Sequence, residues 1–120
     1  MSEAELLSFA LKYLTMNKIV HWRMPLGAVM RTIGKKVIHC PSPVKGMPDI
    51  CGILPSGKFF GIELKSLKGK MSPEQLQWND KINKANGLAV VIKTEDELIN
   101  FVADIKNGNM VTSINEITRL

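Results

Sequence analysis

Three residues in the middle of the chain have side chains that could act together on one substrate. Asp49 follows a proline, and Glu63 and Lys65 lie two residues apart. If the segment around them is a strand, Glu63 and Lys65 share one of its faces, because alternate side chains of a strand point the same way. Two carboxylates that lie close together repel unless a cation lies between them. Such oxygen ligands bind Mg²⁺ or Mn²⁺, and with a lysine beside them they suit hydrolysis of a phosphodiester.

The surrounding sequence predicts a β-hairpin that would bring the two carboxylates together. Residues 50–54 and 58–65 have the composition of strands, and the Pro-Ser-Gly sequence between them suits a three-residue loop. In such a loop Gly57 would supply the left-handed position. Leu54 then pairs with Lys58, which fixes the register of the two strands.

This register decides which side chains share a face. It places Asp49 directly opposite Glu63, with their side-chain roots roughly 5 Å apart. The reverse face is apolar and predicts a core formed by Ile50, Leu54, Phe60, Ile62 and Leu64. The face of the two acids also carries Cys51, Ile53, Phe59 and Gly61. Acids in such surroundings favour a metal site, because an unpaired carboxylate is unfavourable there; the alternative is a turn aspartate and a weak surface ion pair.

The same residues resemble a known nuclease motif. Pro48-Asp49 followed by Glu63-Leu64-Lys65 is similar to the signature of the PD-(D/E)xK nuclease superfamily. A longer pattern resembles the virus-type replication-repair nuclease (VRR-NUC) family and consists of Gly46, Pro48, Asp49, residues 61–65, Ser72, Gln75 and Trp78. The resemblance extends from about residue 3 to residue 102. It implies an α/β protein with a restriction-endonuclease-like core, in which a mixed β-sheet is flanked by helices.

The resemblance also implies roles for these residues. Asp49 and Glu63 would hold one or two Mg²⁺ or Mn²⁺ ions, with the carbonyl group of Leu64 as a further ligand. Lys65 would orient the attacking water or help to deprotonate it, and would offset negative charge in the transition state. Gln75 would support the site.

The first helix is expected to add a glutamate to this site. Residues 2–17 predict a helix with an apolar stripe formed by Leu7, Ala10, Leu11 and Leu14. Glu3 lies four residues before Leu7 and projects from this stripe, whereas Glu5 suits a capping box with Ser2. In the resembling nucleases a glutamate near the start of the first helix reaches the metal site, so both arguments favour Glu3 over Glu5. The alternative is that an acid in the first turn only stabilises the helix dipole.

A second helix is predicted to begin beside the site. Ser72 suits the cap, Pro73 the first helical position and Gln75 the third, which is a complete structural explanation for Gln75. Because the resembling family has a glutamine by the active site at this point, both roles stay open. Trp78 is interpreted as a packing residue rather than a surface on which bases stack. The helix is expected to end at Asn86-Gly87, with the glycine in the left-handed conformation.

The rest of the chain predicts further strands and helices around this centre. Residues 88–93 form an apolar run typical of a buried central strand. Thr94 and Glu97 suit another capping box, at the start of a helix that ends at Gly108. A strand is expected at 19–24, extended pieces at 28–31 and 36–39 around a turn at Gly34, a rigid loop at 40–43, a short strand at 111–112 and a brief helix from 113.

The basic residues are concentrated in the half of the chain that carries these motifs. The formal net charge is +5, and residues 1–70 hold eleven Lys or Arg against four Asp or Glu, whereas residues 71–120 hold five against seven. Such an asymmetry suits a polyanion, although without the motif a basic surface would be an equally good explanation. Candidates for contacts with DNA phosphates are Arg23, Arg31, Lys45, Lys68 and Lys70, with Lys35 and Lys36 also expected near the mouth of the site.

The composition excludes several other classes of protein. No apolar run approaches the ~18 residues of a membrane span, and the N-terminus lacks the pattern of a signal peptide. Cys40 and Cys51 have no Cys-x-x-Cys spacing, and adding His21 and His39 gives no zinc pattern. We therefore expect one cytoplasmic domain covering residues 1–120, with reduced cysteines and no membrane partner.

Together with the resemblance, these residues predict metal-dependent hydrolysis of DNA. Small stand-alone members of the resembling family, many of them from phages, look like Holliday-junction resolvases that act as homodimers. Branched or four-way DNA is therefore the expected substrate, and a second copy of the chain is the expected partner. Two alternatives stay open: a less selective nicking or repair endonuclease with the same chemistry, and a DNA-binding module without catalysis.

Overall fold

The computed structural model describes residues 1–24, 29–40 and 44–108, apart from the side chains of 29–31, 39 and 40. Within these residues the chain forms the helices α1 (Glu3–Met16), α2 (Pro73–Lys84) and α3 (Glu95–Asn107). The strands are β1 (Val20–Arg23), β2 (Val29–Ile33), β3 (Lys36–Cys40), β4 (Ile50–Ile53), β5 (Phe59–Leu64) and β6 (Leu88–Ile92). Of the loop predicted at 40–43, Cys40 instead ends β3, and 41–43 lie outside the described residues, as do the elements predicted from residue 111 onward.

Four of the strands form one mixed sheet in the order β1-β4-β5-β6. β4 runs antiparallel to both β1 and β5, whereas β6 runs parallel to β5. Helices flank this sheet, so the predicted α/β architecture with a restriction-endonuclease-like core is confirmed. None of the described helices has the length and apolar character needed to cross a membrane.

The hairpin of β4 and β5 has the predicted register. Ile50 lies opposite Ile62, and the Leu54 N–H donates to the Lys58 carbonyl oxygen at 2.8 Å. Gly57 closes the loop with a φ of 89°, a left-handed conformation that glycine adopts without a steric penalty. The two strands therefore present the predicted faces, one apolar and one carrying the acids.

The core lies between the apolar face of the sheet and the helices α1 and α3. Its sheet residues are Ile50, Leu54, Phe60, Ile62, Leu64, Leu88, Val90 and Ile92, and α3 adds Leu98, Phe101, Val102 and Ile105. The predicted stripe of α1 was partly wrong, because Leu6 is buried with Ala10 and Leu14 while Leu7 and Leu11 are only partly buried. Both Leu6 and Leu7 fit a 3.6-residue period, and the direction from which the sheet and α3 pack decides between them.

Helix α2 packs on the other face of the sheet, where a glycine makes room for the segment that precedes β4. A Cβ atom at Gly61 would lie 2.6 Å from Cγ of Pro48 and 3.7 Å from Cδ1 of Ile82. Because Gly61 has no side chain, Pro48 can pack directly against β5, and it is fully buried. Because Asp49 is the next residue, this close approach helps to fix its position.

Strand β6 differs from the prediction of a central strand. Within the described residues it lies at the edge of the sheet and pairs with β5 alone. Its side chains are nevertheless mostly buried, since the core covers one face and α2 packs against the strand. The apolar run correctly indicated burial, but burial does not determine the order of strands in a sheet.

Two predicted helix ends differ in detail. Asn86 takes the left-handed conformation after α2, with a φ of 66°, in place of the predicted glycine. Gly87 is needed for space instead, because a Cβ there would lie 2.8 Å from a side-chain carbon of α2. At the start of α3, Thr94 accepts from the Glu97 N–H as predicted, but the Glu97 carboxylate accepts from the Lys93 N–H at 3.1 Å and does not complete a box.

The extended pieces predicted on either side of Gly34 form a separate hairpin. β2 and β3 pair antiparallel with each other in a two-stranded sheet. Gly34 lies at the turn with a φ of 63°, so the predicted turn is confirmed. Among the described strands, these two are the only ones outside the main sheet.

Gly61→Ala is expected to lower the free energy of unfolding by about 1–3 kcal/mol, because the added methyl group would overlap the rigid ring of Pro48. Urea denaturation followed by circular dichroism measures this change. Gly69→Ala is the matched control, since a Cβ at that loop position would come no closer than 3.2 Å to another atom, against 2.6 Å at Gly61, and its effect should be clearly the smaller of the two. Equal stabilities of the two variants would contradict the packing described for Pro48.

Candidate active site

Asp49 is held at one end of the sheet by its backbone and by its side chain. Its carbonyl oxygen accepts a hydrogen bond from the Met24 N–H at 2.9 Å, which extends the pairing of β1 with β4. Its Oδ2 accepts from the Leu64 N–H at 2.8 Å. Continuing the register of β4 and β5 by one pair places Asp49 opposite Glu63. The structure therefore brings the two predicted acids together at the position that the register indicated.

Glu63 is the buried charged residue of the site, with only 2% of its surface exposed. Its Oε1 accepts a hydrogen bond from Gln75 Nε2 at 2.9 Å and lies 3.7 Å from Lys65 Nζ. Its Oε2 is buried and has no hydrogen-bond partner among the described residues. Oε1 of this carboxyl group is thus contacted by Gln75 and Lys65, whereas Oε2 has no hydrogen bond from any described residue.

The surroundings of Glu63 oppose its ionisation. Burial has the largest effect and the charge of Asp49 the next, and together they raise the pKa of Glu63 to about 8. The charge of Glu3 acts in the same direction, whereas Lys65 opposes them. Because this pKa lies above 7, Glu63 keeps its proton at neutral pH in the metal-free protein.

This pair has the chemistry of a divalent-cation site. A buried carboxylate oxygen without a partner, beside a second carboxylate, suits a small cation that prefers oxygen ligands. Within the part of the chain that is described, no group of three Asp, Glu, His or Cys side chains forms a complete metal cluster. A cation bound by Asp49 and Glu63 would therefore need further ligands. The candidates are the main-chain carbonyl of Leu64 and water.

Gln75 combines both of the roles considered for it. Its backbone N–H donates to Ser72 Oγ at 3.2 Å and its Oε1 accepts from the Ser72 N–H at 2.8 Å, which completes the predicted capping box. Its Nε2 donates to Glu63 Oε1. The cap of α2 thus fixes the amide in the orientation in which it contacts the buried acid.

Glu3 lies at the site and Glu5 does not. Glu3 lines a cavity of about 210 Å³ together with Ala4, Leu7, Arg23, Asp49 and Leu64. Its Oε1 accepts a hydrogen bond from the Ser66 N–H at 3.2 Å, a contact that the sequence did not suggest. Glu5 instead accepts from the Ser2 N–H in the capping box of α1, and its pKa is lowered by that contact. The helix therefore directs Glu3, as predicted, toward the cavity that contains Asp49.

Cys51 lies on the same face as the two acids and is fully buried. Burial, followed by the charges of Asp49 and Glu63, raises the pKa of its thiol to about 11. A thiol with so high a pKa stays protonated at neutral pH and is a poor nucleophile. Cys51 is free in the structure, and we assign it to packing rather than to chemistry.

The segment before Asp49 is anchored to α2. The indole N–H of Trp78 donates to the Lys45 carbonyl oxygen at 3.0 Å, and Lys45 Nζ lies 3.7 Å from Glu74 Oε1. Gly46 packs so closely against Glu74 that a Cβ would lie 2.6 Å from its backbone. Trp78 is partly buried and holds this segment in place, which agrees with its interpretation as a packing residue.

The predicted DNA-contacting residues differ in where the structure places them. Arg23 lines the cavity with Asp49, and Lys45 is exposed beside the start of α2. Lys68 and Lys70 are exposed in the segment that leads from β5 to α2. Arg31 lies on β2, and its side chain is not among those that the structure describes.

In metal-free protein, Glu63→Gln is expected to remove a loss of stability that develops between about pH 4.5 and pH 8. The pKa of Glu63 is about 8 in the folded state, whereas in the unfolded chain it has its usual value of 4.5. Glu63 thus loses its proton more readily in the unfolded chain than in the folded protein. The free energy of unfolding therefore falls as the pH rises from about 4.5 to about 8. Thermal melts in EDTA between pH 5 and pH 9 measure this. The melting temperature of the variant should rise relative to that of the wild type as the pH increases.

Glu95→Gln, in the first turn of α3, is the control for that experiment, because it removes an acid far along the chain from the site. Its melting temperature should follow the wild type across the range. If Glu63→Gln and the wild type also gave parallel curves, Glu63 would not carry the proton described above.

A comparison with protein families matches residues 8–96 of the chain to the VRR-NUC domain. The matched residues include Asp49, Glu63, Lys65 and Gln75, whereas Glu3 lies before them. The chain finds no match among curated proteins or among solved structures. Because the match covers most of the chain and contains the acid pair, its lysine and its glutamine, the protein belongs to the VRR-NUC family and is a nuclease.

Proposed function

We propose that this nuclease hydrolyses DNA phosphodiester bonds with a divalent metal ion held by Asp49 and Glu63. The observation that supports the proposal is the buried Glu63 Oε2, which has no hydrogen-bond partner among the described residues. A cation between the two carboxyl groups would balance their negative charges and allow Glu63 to ionise. Mg²⁺ and Mn²⁺ are the best candidates, because both take carboxylate oxygens. The Leu64 carbonyl would be a further ligand, with Glu3 joining directly or through a water molecule.

The metal ion, when bound, supplies activation of water and stabilisation of negative charge on the phosphate. Lys65 is held at the acid pair, with its side chain only 14% exposed and its Nζ 3.7 Å from Glu63 Oε1. In this proposal Lys65 orients the attacking water or takes up its proton, and its charge offsets the negative charge that develops in the transition state. Arg23, which lines the cavity with Asp49, contacts a phosphate of the substrate.

Gln75 acts in this proposal as a positioning residue. Its amide donates to Glu63 Oε1 and so leaves Oε2 as the oxygen available to a cation. Because the same side chain caps α2, the orientation of the buried acid is tied to the start of a helix. Gln75 does not need to contact the substrate to act in this way.

For the substrate we propose branched DNA, and a four-way junction in particular, cut by a homodimer. Its support is the resemblance of this small chain to stand-alone members of the family, together with the excess of basic residues in the half that carries the acid pair. A symmetric junction needs two cuts, which two copies of the chain would supply. A less selective nicking or repair endonuclease would share the chemistry and differ only in its preference among DNA structures.

Asp49→Ala and Lys65→Ala are each expected to reduce cleavage of a synthetic four-way junction at least roughly 100-fold in Mg²⁺ or Mn²⁺, because each removes a group that stabilises the transition state. Gel analysis of labelled junction, flap and linear duplex measures the rates. Asp80→Ala and Lys84→Ala are the matched controls, since these residues form an exposed ion pair on α2.

A mobility-shift assay in Ca²⁺ should show that both site variants still bind the junction, which separates lost chemistry from misfolding. Wild-type protein that binds DNA and cuts none of the three substrates with either metal ion would contradict the proposed catalysis. Equal cutting of junction, flap and duplex would favour the less selective endonuclease.

Gln75→Glu is expected to keep the fold and impair cleavage. Glutamate at this position also completes a capping box, so the protein should stay folded, with a lower melting temperature because the donor to the buried Glu63 is lost. Its charge beside Glu63 opposes ionisation of that acid, so the rise of cleavage with pH should move to higher pH. Rates measured from pH 6 to pH 9 test this, and an unchanged pH profile would show that Gln75 does not act through Glu63.

A further inference from the structure

The hairpin of β2 and β3, residues 29–40, stands apart from the main sheet. It forms a two-stranded sheet of its own, and the described side chains at 32–38 are all exposed. These include apolar ones: Ile33 is 62% exposed, Val37 63% and Ile38 39%. A two-stranded hairpin alone is at best marginally stable in water. A partner that covers these apolar side chains would stabilise the hairpin.

The apolar side chains of this hairpin are divided between its two faces. In the antiparallel register Ile33 pairs with Lys36 and Thr32 pairs with Val37. Because neighbouring pairs point to opposite faces, Ile33 and Val37 lie on different sides of the ribbon. A flat partner could cover only one of these sides. The arrangement suits an element that enters a groove and is contacted on both faces.

The charge of the hairpin indicates the kind of groove. Lys35 and Lys36 lie at its turn, and the sequence contains no Asp or Glu between Glu5 and Asp49. A second copy of the chain would bring a further net charge of +5, and lysine is depleted at protein interfaces, so this hairpin is disfavoured as the surface that joins two copies. The major groove of DNA is anionic and admits a two-stranded β-ribbon. Charge and shape therefore both favour a nucleic acid.

Both ends of the hairpin are joined by short segments to residues that lie near Asp49. Met24, whose N–H donates to the Asp49 carbonyl oxygen, is separated from Val29 by five chain steps. A chain covers at most about 3.5 Å per residue, so the base of the hairpin lies within roughly 18 Å of Met24. At the other end, β3 is followed within a few residues by Val44–Asp49, the segment anchored to α2. A DNA held by the hairpin is thus within reach of the site.

We propose that this hairpin is an arm that recognises DNA branches for the nuclease proposed above, on which this inference rests. Lys35 and Lys36 contact phosphates on either side of the branch point. Ile33 and Val37 pack against base-pair faces, which a branch exposes and an uninterrupted duplex does not, as apolar wedges do when they enter a base step. The arm thereby favours branched over linear DNA.

Two double variants test the two functions of the arm. Lys35→Ala/Lys36→Ala should weaken binding to junction and linear duplex alike, roughly 10-fold, and lower the slope of log K against log salt by about 1.8, because two phosphate contacts are lost. Ile33→Ser/Val37→Ser should leave that slope unchanged and reduce the preference for junction over duplex at least about 5-fold. Binding is measured by fluorescence anisotropy in Ca²⁺ with a labelled four-way junction and a linear duplex of the same length.

Matched controls come from exposed residues elsewhere in the fold. Lys12→Ala/Lys84→Ala removes two exposed helix lysines, and Val20→Ser/Ile53→Ser changes two exposed apolar residues that pair across β1 and β4. Both controls should bind as the wild type does. Hairpin variants that match their controls on both DNAs would overturn the proposal.

A loss of dimer mass in light scattering for Ile33→Ser/Val37→Ser, with junction preference per folded subunit retained, would also overturn it, since the hairpin would then contact protein. The catalytic proposal is tested independently of the hairpin. Protein that binds as expected in Ca²⁺ but cuts nothing in Mg²⁺ or Mn²⁺ would contradict the proposed catalysis and would leave the role of the hairpin in binding supported. Protein that cuts junctions equally well with either hairpin variant would reject the arm alone.

Discussion

Asp49 and Glu63 place two carboxyl groups side by side in a part of the sheet where Glu63 has almost no contact with solvent. Burial and like charge both oppose ionisation, so this arrangement is unfavourable on its own and the rest of the fold has to hold it in place. The hairpin register, the close packing of Pro48 on Gly61 and the hydrogen bond from the Leu64 N–H to Asp49 do so. Strongly perturbed acids of this kind are concentrated at functional sites.

The start of α2 connects this acid pair to the surrounding structure. Gln75 caps the helix and contacts Glu63 with the same side chain, so the helix cannot shift without disturbing the acid. Glu74, beside the cap, and Trp78, one turn further along the helix, both contact the segment that leads into Asp49. The two acids are thus positioned by one helix from two directions. The acid pair is therefore held by buried contacts, whereas most of the basic residues with described side chains are exposed.

The features that could be predicted from the sequence are those fixed by local rules. The three-residue loop at Gly57 determined the register of the hairpin and hence the pairing of Asp49 with Glu63, and the capping pattern placed Gln75 at the start of α2. The approach of Glu3 to the site was also expected, although the Ser66 N–H that orients it lies far along the chain.

Features that depend on packing between distant segments could not be predicted in this way. Leu6 and Leu7 fit the helical period of α1 equally well, and only the packing of the sheet and α3 selects Leu6. The apolar run of β6 indicated burial but not its place at the edge of the described sheet. In the same way, the sequence predicted a turn at Gly34 without showing that the hairpin around it would stand free of the core.

The central claim is that a divalent ion held by Asp49 and Glu63 takes the place of the proton that Glu63 otherwise keeps at neutral pH. Calorimetric titration of the protein with Mn²⁺ at pH 7, in two buffers of different ionisation enthalpy, counts the protons released on binding. Because the pKa of Glu63 is about 8 without metal, we predict the release of about one proton per chain and its disappearance in Glu63→Gln. Binding without proton release, or no binding at all, would contradict this account of the site.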